Sequence, residues 1–191
     1  MEFVTTHKKT HIAQLWRLPE CGMPDTADTY QSWYARAVEL GLFPEGTEVN
    51  FCVPAVDRGF WMAGLAAKEA GVPIRRIIVA SNENRAATRL IREGVYEADT
   101  APAATGAPLL DVGCYREAEA LCRLPAETRL GLFAAYSCPY RRWKNMQEKV
   151  KETWDVSLAP STAVSYVALQ DHRCVTADGL HAILFSLEGS V

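Results

Sequence analysis

Across 191 residues, 20 basic and 23 acidic side chains leave a formal charge of −3, with 49% of residues apolar and 23% charged. These ordinary globular values exclude disorder, collagen and coiled coil as descriptions of the whole chain. The mild acidity argues against a nucleic-acid partner. No apolar run reaches the roughly 18 residues of a membrane helix, so no membrane is expected. Met1–Thr10 has no apolar signal core, which points to a cytoplasmic, reducing setting.

The chain reads as a single α/β domain. Residues 1–25 read as a polar tail, 26–97 as a helix followed by a strand–helix–strand–helix unit, 98–112 as a loop, and 113–191 as helices and a last strand. His7 and His11 have i,i+4 spacing, but their segment is polar and suggests solvated chain rather than a metal site. The six cysteines include no C-x-x-C pair, and no zinc or cysteine–histidine signature is present.

In chain order, the first expected helix covers Thr26–Leu42, capped by Asp25 or Thr26. Tyr30, Trp33, Tyr34, Ala37, Val38 and Leu40 supply its apolar stripe. Glu48–Pro54 is a short β-rich run. Arg58–Ala70 is apolar almost all round and predicts a largely buried helix stopped by Gly71. Ile77-Ile78-Val79-Ala80 suits an inner parallel strand covered on both faces. Asn82 is placed to cap a helix over Glu83–Glu93, ending at Gly94. Strand, helix, strand and helix at short spacing form a βαβ unit, for which a right-handed crossover is expected.

Ala98–Pro108 is rich in Ala, Thr, Pro and Gly and reads as a loop. Helices follow over Gly113–Arg123, from Pro139 to about Trp154, and over Ser161–Asp171. The second has a buried stripe of Trp143, Met146, Val150 and Trp154. Its opposite face carries Arg141, Lys144, Lys149 and Lys151 and reads as solvated. His181–Phe185 is a last buried strand.

In a parallel α/β sheet, ligands bind beyond the carboxyl ends of the strands. The first place to look is therefore Val53–Phe60, where a helix N-terminus offers free amides. This turn holds one glycine, Gly59. Val56 resists left-handed backbone, and Asp57 would cap the helix itself and repel phosphate. Arg58 would partly offset that charge.

These residues carry a resemblance. Val53-Pro54 and its small-residue loop, Ala63-Gly64-Leu65-Ala66-Ala67-Lys68, Gly71-Val72-Pro73-Ile74 and Ile77–Asn84 resemble threonine synthase. So do Arg89–Gly94, and Leu158–Tyr166 is similar to that family's D-P-H-T-A-V-G-Y segment. The likeness is strong over Glu48–Tyr96 and recurs over Trp154–Ser186. It is weak before Thr26 and across Ala98–Pro139.

The resemblance implies a three-layer, Rossmann-like parallel sheet flanked by helices, part of the large domain of a fold-type II pyridoxal-phosphate (PLP) enzyme. Such enzymes are lyases of amino-acid biosynthesis that convert O-phosphohomoserine to threonine. The match covers about their C-terminal half. The other half, with the Schiff-base lysine and a Ser/Thr-Gly-rich substrate loop, finds no counterpart here, and no residue of this chain inherits a catalytic role. The family's phosphate loop, S/T-G-N-F-G, falls on Ala55, Val56, Asp57, Arg58 and Gly59, and Gly59 alone is retained. Its T-A-H-P motif falls on Ser186-Leu187-Glu188-Gly189, where Ser186 keeps a hydroxyl for the pyridine nitrogen. Its D-P-H becomes Ala159-Pro160-Ser161.

Three functions follow as expectations. The chain is a truncated pseudoenzyme, inactive alone; or it is half of a split PLP enzyme, completed by a lysine-bearing partner chain; or it is a re-used binding domain lined by Asp57, Arg58, Ser81, Asn82 and Ser186. A half-sheet leaves open edges. The reading therefore expects a homo-oligomer, or an edge covered by the N-terminal segment or the Ala98–Pro108 loop.

Overall fold

The computed structural model describes residues 2–7, 11–17, 26–55, 59–97, 120–176 and 181–184. Six strands form one sheet in the order β2-β1-β6-β3-β4-β5. They are β1 (Glu2–His7), β2 (His11–Arg17), β3 (Val49–Pro54), β4 (Ile74–Ser81), β5 (Phe133–Ser137) and β6 (Ala182–Leu184). The helices are α1 (Ala27–Glu39), α2 (Phe60–Glu69), α3 (Ala86–Glu93), α4 (Ala126–Leu132), α5 (Tyr140–Trp154) and α6 (Pro160–Val175).

The four strands β6, β3, β4 and β5 run parallel. Their two faces carry different cores. Val49, Phe51, Val53, Ile77 and Val79 pack with Trp33, Phe60, Trp61, Leu90 and Ile91 of α1, α2 and α3. Cys52, Ile78, Ala80 and Leu184 pack with Trp143 and Val150 of α5 and Tyr166 and Leu169 of α6. This is the expected three-layer α/β sheet, and Ile77–Ala80 lies fully buried inside it. Ile74 and Ile77 face the same side although three residues apart, because the ladder slips between Val49 and Asn50.

Local chemistry sets the helix ends. Thr26 caps α1, its hydroxyl accepting from the Thr29 amide at 3.2 Å. Tyr30, Trp33, Tyr34 and Ala37 of the expected stripe are buried. After α2, Gly71 takes φ 98°. There its amide reaches Lys68 O and the Val72 amide reaches Ala67 O, closing the helix as a glycine stop should.

Four expectations are corrected. Residues 1–25 contain more than a tail: Glu2–His7 and His11–Arg17 form an antiparallel hairpin. Threonine and isoleucine interleaved with polar residues favour strand over solvated chain. The helix after β4 begins at Ala86, not Glu83. Asn82 instead accepts the Asn84 amide in a tight turn, and Asn84, the residue before the N-cap Arg85, accepts the first helical amide, Ala86, at 2.8 Å in a second turn. The last helix runs on to Val175, past the expected stop at Asp171. Leu124–Cys138, given no element in the sequence reading, supplies α4 and β5. There the chain passes from Leu132 straight into extended Phe133, with Gly131 inside the last turn rather than after it.

The β6 edge facing away from β3 is covered by β1, which pairs antiparallel with Val4 opposite Leu184 and Thr5 opposite Ile183. The Ala98–Pro108 loop lies outside the described residues, as do residues 113–119 of the expected Gly113–Arg123 helix.

Candidate functional site

The carboxyl ends of β3, β4 and β5 bring together Ala55, Ser81-Asn82-Glu83-Asn84 and Ser137-Cys138. Ala55 is buried and its amide donates to Ala80 O at 2.8 Å, which extends the β3–β4 ladder by one rung. Gly59 opens α2 with φ 73°, and its carbonyl accepts the Ala63 amide at 2.9 Å. Val56, Asp57 and Arg58, the centre of the loop that matches the family's phosphate site, lie outside the described residues, as does Ser186.

The β4–α3 turn beside Ala55 is tied to itself. Ser81 Oγ donates to Asn84 O at 2.6 Å. The Cys138 amide donates to Ser81 O at 2.7 Å and to Asn82 O at 3.1 Å. Glu83 Oε1 accepts the Tyr140 amide at the N-terminus of α5. That helix starts after Pro139 without a side-chain cap of its own. Glu83 therefore supplies from 57 residues away the anionic group that a helix N-terminus favours.

The same end of β5 is braced by the last turns of α6. Tyr136 Oη lies 3.1 Å from His172 Nδ1. Arg142 holds Asp171 through two contacts of 2.7 and 2.6 Å. Burial pushes the Cys138 thiol up to about 12, and the Cys52 thiol higher still. Cys52 also donates to Ser165 O at 3.1 Å. Neither is poised as a nucleophile.

Ala159-Pro160-Ser161 does not join this cluster. Gln147 Nε2 donates to Leu158 O, which sets the start of α6 beside the second half of α5, away from Tyr140. Pro160 opens α6 and Ser161 is buried.

The fit to PLP turns on a lysine. Lys68, Lys144, Lys149 and Lys151 are the described lysines, and all four are exposed. Lys68 Nζ donates to Ile74 O, at the amino end of β4 and so at the opposite side of the sheet. Lys151 pairs with Asp155. None fits the role of a dry, buried Schiff-base amine. Among the described residues no cluster of His, Cys, Asp and Glu suits a metal ion, and no helix is long and apolar enough to cross a membrane.

This arrangement is that of a parallel α/β domain with helices packed on both faces of the sheet. Comparison with known proteins makes the likeness specific: over part of its length the chain is similar to threonine synthases. No family model matches. Threonine synthase of Eremothecium gossypii is 42% identical over 64 residues, 34% of this chain and 12% of that protein. Threonine synthase-like 1 of Homo sapiens is 34% identical over 84 residues, 44% of this chain and 11% of that protein. Among solved structures, PLP-bound threonine synthase from Brucella melitensis superposes with a TM-score of 0.62 at 24% identity. It covers 83% of this chain and 39% of the other. The yeast enzyme gives 0.64 at 19% identity, covering 84% and 39%. The aligned stretch thus spans about an eighth or less of these curated relatives, and the fold matches under two-fifths of the solved chains.

The sequence reading missed the brace formed by Glu83, Tyr136, Arg142, Asp171 and His172. Its members are scattered along the chain in no local motif, so only the fold assembles them.

Proposed function

We propose that this chain is a threonine-synthase-like α/β unit that does not convert phosphohomoserine to threonine by itself and serves a non-catalytic binding role. The reading is supported by the placement of the described lysines, Lys68, Lys144, Lys149 and Lys151, all of them exposed. Conversion at successive substrate carbons needs a positioned amine to carry protons. Lys68 at the amino end of β4 and the solvated lysines of α5 do not supply such an amine. The loss of four of five phosphate-loop residues, at Ala55, Val56, Asp57 and Arg58, supports the same reading. An apolar framework is kept where packing needs it, and site chemistry is dropped where catalysis does not. The natural setting is the cytoplasm.

The test is direct. The purified chain is incubated with PLP, desalted, scanned in the visible range, reduced with borohydride and mapped by mass spectrometry. The expected result is no retained chromophore, no reduced adduct at a defined lysine and no turnover of phosphohomoserine. A stoichiometric adduct at one lysine would overturn the proposal.

A second reading is favoured by the extent of structural agreement, which covers 83–84% of this chain. In it, a lysine-bearing partner chain completes a split enzyme. Co-expression with the N-terminal half of a threonine synthase checks this, and absence of any reconstituted turnover refutes it.

A further inference from the structure

We propose that a cleft at the amino ends of β3 and β4 is a binding site for a small organic cation, an amine or ammonium with an aliphatic body. It lies at the opposite pole of the sheet from the residues that match the family's cofactor site. The inference is therefore independent of the threonine-synthase reading and of any PLP chemistry.

The cleft encloses about 340 Å³, within the range of small-molecule sites. One wall is α1, with Tyr34, Ala35 and Val38, and the other is the passage from α2 into β4, with Val72 and Pro73. These residues supply its apolar surface. The walls are fixed by the fold itself. Tyr34 Oη donates to Thr47 O at 3.2 Å, and its ring packs on Phe43 with centroids 5.6 Å apart. The third side is a tight turn. There the Thr47 amide donates to Pro44 O at 3.2 Å and Gly46 takes φ 80°, the pattern of a type II turn. That turn holds Glu45 in the lining. Gly46 and Gly71 line the cleft too, and a Cβ added to either would meet nothing within 4 Å, so the space over both backbones is open.

The electrostatics of the lining select the sign of the ligand. Glu45 is its one charged side chain, and among the described residues it makes no ion pair. Val38 belongs to the last turn of α1, and Ala70 and Gly71 close α2, so two helix carboxyl ends add partial negative charge. At α2 the closing amides take the carbonyls of Ala66, Ala67 and Lys68, which leaves those of Glu69 and Ala70 without a backbone donor among the described residues. The cations next to the lining in the chain are engaged: Lys68 donates to Ile74 O, Arg36 pairs with Glu39, and Arg75 pairs with Glu48. An anion would be repelled here. An ammonium group would be attracted, and the apolar walls would cover its hydrocarbon chain.

The experiment uses the full chain, isotope-labelled and followed by amide NMR, with hexylammonium as the probe and hexanoate as its anionic counterpart. The expected result is saturable shifts at the amides of Gly46, Gly71 and Val72 with hexylammonium and none with hexanoate. Glu45→Gln, at an exposed position, should weaken binding about five-fold and leave Tm unchanged. Added salt should weaken it in the unmodified chain. Ala35→Trp, also exposed, should fill the cleft and abolish the shifts. Equal binding of hexanoate, or an affinity that Glu45→Gln does not lower, overturns the proposal. So does the lack of any saturable shift at about 20 mM hexylammonium, a readout that needs no substitution.

Discussion

The contact between Gly94 and Arg129 gives the sharpest test of the packing argument. Gly94 ends α3 with φ 75°, its amide donating to Leu90 O at 3.0 Å. A Cβ there would lie 2.8 Å from Arg129 Nη2. Arg129 cannot easily retreat: it is buried, its Nε donates to Ile91 O at 3.0 Å and its Nη1 to Leu124 O at 3.3 Å. Gly94→Ala therefore carries two penalties. The left-handed backbone costs about 1–2 kcal/mol, and weakening one charged hydrogen bond costs about 1.5 kcal/mol more. Arg129→Ala leaves the buried Ile91 carbonyl and the part-buried Leu124 carbonyl short of a donor, at about 2–3 kcal/mol. In the double variant the clash is gone and the backbone penalty alone is added. The double variant should thus be about 1–2 kcal/mol more stable than the sum of the single effects. Urea denaturation followed by tryptophan fluorescence measures all four species. Additivity within about 0.5 kcal/mol would show that the guanidinium does not confine Gly94.

Other consequences are as specific. A thiol reagent at pH 8 should modify exposed Cys174 in the folded chain and spare buried Cys52 and Cys138 until it is unfolded, as peptide mapping would show. Burial holds the Cys138 thiol near 12 against its ordinary 9.0. The folded state therefore keeps a proton that the unfolded state releases. Stability contributed by that difference is intact below pH 9 and declines as pH rises from about 9 towards 12, and Cys138→Ala should flatten the decline in alkaline denaturation curves. Asn84→Ala removes the acceptor for the Ala86 amide and should destabilise by about 1 kcal/mol in thermal melts, a loss that Asn84→Asp largely restores. Asp155, at the end of α5, takes φ 55°. Asp155→Gly should raise Tm by about 2 °C; a fall would mean that its ion pair with Lys151 outweighs the strained backbone.

The elements legible in the sequence are those whose apolar period and punctuation agree. Thr26, Gly71 and Gly94 mark helix ends, and the stripe from Tyr30 to Ala37 and the run Ile77–Ala80 mark buried faces. What escaped was structure set by pairing rather than by pattern. β5 is only Phe-Ala-Ala-Tyr-Ser, with two alanines of weak strand preference, and it becomes a strand because β4 offers Ile77–Ser81 in register beside it. The strands Glu2–His7 and His11–Arg17 are likewise joined to the sheet by the edge of β6, a strand from the other end of the chain. Helix boundaries slipped where a polar residue serves a turn instead of a cap, as Asn82 does.

The same distinction explains how far the site could be read. The residues that carry the resemblance in the sequence, such as Ala63–Ala67 and Ile77–Ala80, lie in framework helices and strands, and those positions answer to burial in any protein of this fold. It says less about the rim, where one polar group can either face a ligand or serve the protein. At the β4–α3 turn the groups serve the protein: Ser81 donates to Asn84 O, Asn84 accepts the Ala86 amide, and Glu83 accepts the Tyr140 amide. A carboxylate committed to a helix N-terminus there adds negative charge to the rim at the carboxyl ends of the strands, where a phosphate-binding loop would need positive potential. Replacing Glu83 by Gln keeps an acceptor for the Tyr140 amide but removes the charge. If electrostatics at this rim matters more than the loop residues themselves, Glu83→Gln should strengthen inorganic phosphate binding, measured by calorimetry, while leaving Tm within about 2 °C. Unchanged phosphate affinity would place the defect in the loop rather than in the field around it.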